Sequence, residues 1–130
     1  MRNSDLWVSH LFYLGGMTME MEYQLKGPYL IIRVGRELDH HQAEHIRHTM
    51  EKIGREREIR HIIFDFSETT FMDSSGVGML ISRYRDLSMC GGTVCAAGVG
   101  PAVEKLFYVS GLHKIIRVYS EVEDVFNGQE

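Results

Sequence analysis

From Tyr29 to Phe126 short apolar runs alternate with longer segments of helical period, and this alternation narrows the fold more than any other feature of the chain. Residues Tyr29 to Val34 place Leu30, Ile32 and Val34 on one face of a strand. Asp39 then reads as a helix N-cap with Gln42 three positions on, and Ala43, Ile46, Met50 and Ile53 follow at helical spacing, which predicts a helix over residues 40–56. A strand over 60–66 leads to the turn Asp73-Ser74-Ser75 and a second helix, whose inner face is Val77, Leu80, Ile81, Tyr84, Leu87 and Ser88. Gly91-Gly92 stops it. Thr93 to Ala97 predicts a buried strand, Pro101 opens a third helix with Val103, Leu106 and Phe107 inward and Gly111 at its end, and residues 114–118 predict a fifth strand. Ser120 with Glu123 forms a capping box for a last helix that buries Val122, Val125 and Phe126.

Upstream, Met19, Met21, Tyr23 and Leu25 alternate with Glu20, Glu22, Gln24 and Lys26, and Gly27-Pro28 supplies a turn into the next strand. The expected class is therefore α/β: an opening hairpin, then alternating helices and parallel strands with right-handed crossovers and the helices packed on a mixed sheet. The 130 residues suffice for one such domain, assigned to residues 19–130.

Residues 1–18 differ in character and are expected to be an extension. The run from Leu6 to Leu14 is apolar, but Asp5, Ser9 and His10 interrupt it and no small-residue cleavage site follows, which disfavours a signal peptide. It is also shorter than the roughly 20 apolar residues a membrane span needs. Trp7, Leu11 and Leu14 at helical spacing suit a short amphipathic arm packing on the domain or on a second copy; Met17 or Met19 could equally be the natural start.

Charge narrows the partner. Fourteen Lys and Arg against 18 Asp and Glu leave a net charge of −4, so there is no basic field to hold DNA or an acidic membrane, and a specific protein partner fits better. Cys90 and Cys95 match neither a C-x-x-C redox motif nor a four-ligand zinc site and read as reduced structural thiols.

The serine turn is the candidate site, because it lies where a strand hands over to a helix, at the positive end of that helix's dipole. Nucleophilic catalysis by Ser74 or Ser75 fails on sequence, since Met72 or Asp73 stands where a hydrolase elbow needs glycine. His41, His45 and His48 recur at helical spacing and His41-Gln42-Ala43-Glu44-His45 fits a short zinc-protease pattern, but a third ligand and a cleft are wanting, and solvated histidines are the plainer reading. Neither Gly98-Val99-Gly100 nor Gly76-Val77-Gly78 completes a phosphate-binding loop. Modification remains. A phosphate at a helix N-terminus gains about −1.5 to −2 charge beside free N–H groups, so it should act on whatever docks there and leave the helix folded. Gly78, Met79 and Ser82 are expected to form an uncrowded patch with Met79 as its exposed apolar side chain. Gly78 in a helix interior costs about 1 kcal/mol relative to Ala, which either close approach of a partner or packing on a neighbouring element would explain.

Four segments together, Glu37-Leu38-Asp39-His40-His41, Ile59-Arg60-His61-Ile62-Ile63, Phe71 to Gly78, and Gly111 to Arg117, resemble the STAS domain of anti-sigma factor antagonists, the sporulation type above all. The resemblance runs from about Met19 to Phe126. It implies a cytoplasmic, non-enzymatic switch protein without a cofactor. In its unphosphorylated form such a protein binds an anti-sigma factor that is also a serine kinase, releasing a sigma factor; a serine phosphatase resets the phosphorylated form. The serine directly after Asp is the one modified in this family, which maps to Ser74. Docking maps to Glu37, Asp39, His40, Asp73, Ser75, Gly78, Met79 and Arg83. A monomer or weak homodimer is expected, and a stress-response antagonist is the alternative. Arg36 departs from the family pattern, which carries Gly ahead of the Glu-Leu-Asp run, and places a positive charge at the docking edge.

Overall fold

The computed structural model describes residues 7–14 and 17–127; of residues 10, 12–14 and 17–20 it describes the backbone. Strand β2 (Met17–Lys26) runs antiparallel to both its neighbours, β1 (Val8–Leu14) and β3 (Tyr29–Arg33), while β3, β5 (His61–Asp65), β7 (Thr93–Ala97) and β8 (Arg117–Tyr119) are parallel, in the order β1-β2-β3-β5-β7-β8. Lys26 pairs with Tyr29 across a two-residue turn. Gly27 there has φ 56°, the left-handed first position such a hairpin turn requires.

Helices α1 (His40–Glu56), α2 (Ser74–Met89) and α3 (Pro101–Ser110) supply the crossovers. Their inner side chains, Ala43, Ile46, Met50, Ile53, Leu80, Val103 and Phe107, pack with Leu30, Ile32, Ile62, Phe64, Val94 and Ala96 into one core. The alternate strand residues Ile31, Ile63, Cys95 and Ala97 point the other way, into a smaller core covered by Trp7, Tyr119, Val122 and Val125. Both faces being covered explains why β3, β5 and β7 are apolar almost throughout.

Four expectations need correction. The segment Val8–Leu14 is a strand, with no helical arm: Val, Phe and Tyr favour the pleated state, and pairing Val8 with Tyr23 through Leu14 with Met17 satisfies the outer edge of β2. The last strand is Arg117–Tyr119, three residues later in its start than expected, because a 3₁₀ turn at Leu112–Lys114 follows the left-handed Gly111 (φ 85°) and buries Leu112. The final capping box is Glu121 with Asp124, not Ser120 with Glu123, since the Tyr119 carbonyl is still held by the Gly98 N–H at 3.1 Å and the chain stays extended through Glu121. In α4 (Val122–Phe126) no residue is fully buried: Val122 and Val125 are half-covered, and Phe126 is 38% exposed, lying against the Tyr29 ring with Lys26 above it.

Two very short strands went unseen. β4 (Glu37–Leu38) and β6 (Phe71–Met72) pair in parallel as a separate ribbon beside the starts of α1 and α2.

Candidate functional site

β4 and β6 are each followed by one aspartate and one long helix, so the chain builds the same device twice, side by side. The ribbon sets Glu37 opposite Phe71 and Leu38 opposite Met72. Strand alternation turns Leu38 and Met72 into the core and leaves Glu37 and Phe71 in solvent. Further bonds stitch the loops together: Thr69 Oγ1 donates to the Gly35 carbonyl at 2.7 Å, Thr70 N–H to the Arg36 carbonyl at 2.8 Å, and Asp73 N–H to the Leu38 carbonyl at 3.3 Å. Arg36 therefore ties the ribbon through its backbone while standing exposed.

Each aspartate caps its helix. Asp39 accepts the Gln42 N–H at 3.0 Å and Asp73 the Ser75 N–H at 2.9 Å. Ser74 is the first residue of α2, exposed, with Ser75 half-buried behind it. The turn is rigid because α2 begins hard against the ribbon. A Cβ at Gly76 would lie 2.6 Å from Met72 Cγ and 2.9 Å from Leu38 Cγ, so only glycine lets the helix start this close. Gly78 is the opposite case. It is exposed and a Cβ there would meet nothing within 4 Å, so packing on a neighbouring element does not account for it.

His40, Ser75, Met79 and Arg83 line one groove of about 250 Å³ between α1 and α2. Ala43, Glu44 and Arg47 complete its α1 side. Arg83 is held by Asp86 at 2.9 Å and has a largely covered side chain. Arg47 bridges Glu44 and Glu51, both at 2.8 Å, and its guanidinium holds the Glu44 carboxyl below the ordinary carboxylate value. Glu37, Asp73 and Gly78 lie outside the groove's lining, Glu37 on the ribbon and Gly78 on the outer side of α2.

The patch expected around Gly78 is smaller than the helical pattern suggested. Met79 is only 8% exposed and belongs to the core, because two helices lying side by side on a sheet cover each other's flanks as well as their inner faces. Ser82 is half-buried and only Gly78 stands free. The exposed apolar residue of the site is Phe71, at 48%, which the sequence reading placed in the motif but not at the surface. No local signal marks it, since Phe71 and Met72 are both apolar and two residues make no period.

The histidines of α1 do not converge. His45 is fully buried while His41 and His48 are exposed, and no cluster of His, Cys, Asp or Glu that could hold a metal ion occurs among the described residues.

This architecture, a mixed sheet with three crossover helices on one face and an Asp-Ser turn clamped at the start of the second, is that of a regulatory α/β domain. The chain belongs to the STAS domain family, whose model matches residues 20–125. It is 35% identical over 103 residues to the anti-sigma F factor antagonist of Paenibacillus polymyxa, covering 79% of this chain and 88% of that one. Its fold superposes on the anti-sigma factor antagonist SpoIIAA in its unphosphorylated form with a TM-score of 0.72 at 32% identity, covering 85% of this chain and 98% of that one. For the Bacillus cell fate determinant SpoIIAA in the phosphorylated form the TM-score is 0.67 at 30% identity, covering 84% and 99%. Among the described residues no helix is long and apolar enough to cross a membrane.

Proposed function

We propose that this protein is an anti-sigma factor antagonist of the sporulation type, and that Ser74 is the residue through which a kinase switches it off. The observation that carries the reading is the placement of Ser74: exposed, first in α2, and fixed by the Asp73 cap and the Gly76 approach. The unphosphorylated protein docks an anti-sigma factor through Glu37, Phe71 and the start of α2, with His40, Ser75, Met79 and Arg83 shaping the adjoining groove, and so releases the sigma factor. Gly78 leaves room for the partner's backbone to approach. A serine phosphatase restores the docking form.

The charge argument explains the switch. A phosphate on Ser74 lies at the positive end of the α2 dipole, which stabilises it by up to about 1 kcal/mol at an exposed terminus. The same group adds about −1.5 to −2 charge to a surface already carrying Glu37, Asp39 and Asp73. The fold tolerates it and the partner does not. That the phosphorylated form of SpoIIAA keeps the shared fold supports this division of effects.

Incubation with the cognate anti-sigma kinase and ATP should add one phosphate to this protein and none to Ser74→Ala; undiminished labelling of that variant would overturn the assignment. Ser74→Asp should keep the circular dichroism spectrum and melting point while losing kinase affinity. A pull-down against sporulation and stress-response anti-sigma factors separates the two branches: selective capture of the stress-response partner would replace the sporulation reading.

A further inference from the structure

On the face of the sheet turned away from α1, α2 and α3, a groove of about 570 Å³ lies between β2 and α4. Ile31, Val122 and Phe126 give it an apolar lining. Several of its charged groups already have partners. Arg33 holds Glu22 at 3.1 Å and Asp65 at 3.8 Å, and its guanidinium lies 3.9 Å from the Trp7 ring. Asp65 also accepts the Ser67 N–H at 3.0 Å.

What remains unmatched is divided between the two sides. Gln24 is 7% exposed, and its buried amide nitrogen has no hydrogen-bond partner. Lys26 stands two residues on, on the same face of β2, with its Nζ 4.6 Å from the Phe126 ring and no carboxylate paired to it among the described residues. On the α4 side Glu123 has no cation among the described residues, and Glu121 gives its carboxylate to the Asp124 N–H. A buried amide N–H without a partner calls for an acceptor, and Lys26 calls for an anion. Glu121 and Glu123 call for the opposite sign. Neither a simple anion nor a simple cation satisfies both sides, whereas a dipolar molecule does.

We infer that this groove binds a small zwitterion of the α-amino acid type with an apolar side chain. The ligand's carboxylate meets Lys26 and the Gln24 amide, its ammonium meets Glu123 and Glu121, and its side chain lies against Ile31, Val122 and Phe126. A free amino acid and a dipeptide carry these end groups at two lengths, and the groove has volume for either. Ser74 is no part of this lining, so the inference stands independently of the phosphorylation reading.

Trp7 is the one tryptophan of the chain and lines the groove, so its fluorescence reports occupancy. The full-length protein is titrated with L-leucine and with L-leucyl-L-leucine, each against its N-acetylated form, which lacks the ammonium, and its amide, which lacks the carboxylate. At least one of the two zwitterions should give a saturable change, about tenfold tighter or more than either of its blocked forms, and which one binds sets the ligand's length. Lys26→Met keeps the stem that packs on Phe126 and should shrink the preference over the amide severalfold, leaving the preference over the N-acetyl form. Glu123→Gln should do the reverse. Neither change breaks an ion pair among the described residues, so both variants should fold, and either one alone decides the matter. No saturable change with either zwitterion, blocked forms that bind as well as the zwitterions, or a folded variant that keeps both preferences of the parent would each overturn the inference.

Discussion

The starts of α1 and α2 occupy equivalent places, each after a two-residue strand and a capping aspartate, yet they are finished differently. The outer side of α1 is dressed with His40, His41 and the Glu44–Arg47–Glu51 bridge. Seven of its residues are buried, from Gln42 to Ile53. α2 has three buried residues, a bare glycine at position 78, and a free-standing serine at its tip. The third residue after the cap is Gln42 in α1 and Gly76 in α2, and only the latter sits against both ribbon strands. The caps differ too, Asp39 accepting from the third residue on and Asp73 from the second. One helix is held along its length by the domain, while the other is held at its start by the ribbon and leaves Ser74 and Gly78 exposed.

The sharpest way to break this comparison is Gly76→Val. A branched side chain there must displace Met72 and Leu38, and the loss should be about 3 kcal/mol, at the upper end of overpacking, read from the urea midpoint. Kinase docking should fall with it, because the serine turn loses its clamp. Next come the caps. Asp39→Ala and Asp73→Ala should each lose about 1 kcal/mol, and phosphorylation of Ser74 should recover part of the loss for Asp73→Ala alone, since the phosphate can take over the exposed N–H groups of α2.

Gly78→Ala should act in the reverse sense on stability. With open space around it the fold should gain up to about 1 kcal/mol, while affinity for the anti-sigma partner falls; a stabilised variant with unchanged affinity would assign this glycine no part in docking. The smallest effect is electrostatic. The Glu44 carboxyl is held below its ordinary value first by the Arg47 hydrogen bond. A depressed carboxylate contributes stability above its unfolded value and loses it as pH falls through the folded one. Acid unfolding of Arg47→Ala should therefore begin at slightly higher pH, a small shift because the pair is solvent-screened. The cysteines offer an independent check on burial. The Cys95 thiol is pushed up to about 11 by desolvation, so iodoacetamide at neutral pH should label Cys90 and spare Cys95 until the protein unfolds.

Much of the frame was legible because it rests on local signals. The helix over His40–Glu56 follows from Asp39, Gln42 and an unbroken apolar stripe, and the hairpin from Gly27-Pro28 between alternating runs. The ribbon was not legible. Two residues make no period, and β4 and β6 exist only because each has the other beside it. The same limit applies to Met79: helical spacing places it off the sheet-facing stripe, and the neighbouring helix, which no local pattern announces, covers it. Val8–Leu14 reads as a short amphipathic arm until the edge of β2 is there to receive it as a strand. At the chain's end, the capping box moved by one residue because the ladder to β7 outlasted the propensity of Ser120.

The sequence by itself determined the order of the main strands and helices, the Asp39 cap and the serine turn at the head of α2, since periodicity, capping and turn chemistry act within a few residues. Tertiary structure alone decided that the two helix starts lie together, that Gly76 must be bare, and that Phe71 rather than Met79 meets solvent. Those outcomes depend on which residues distant in the chain come to share a surface, and burial is a property of that shared surface.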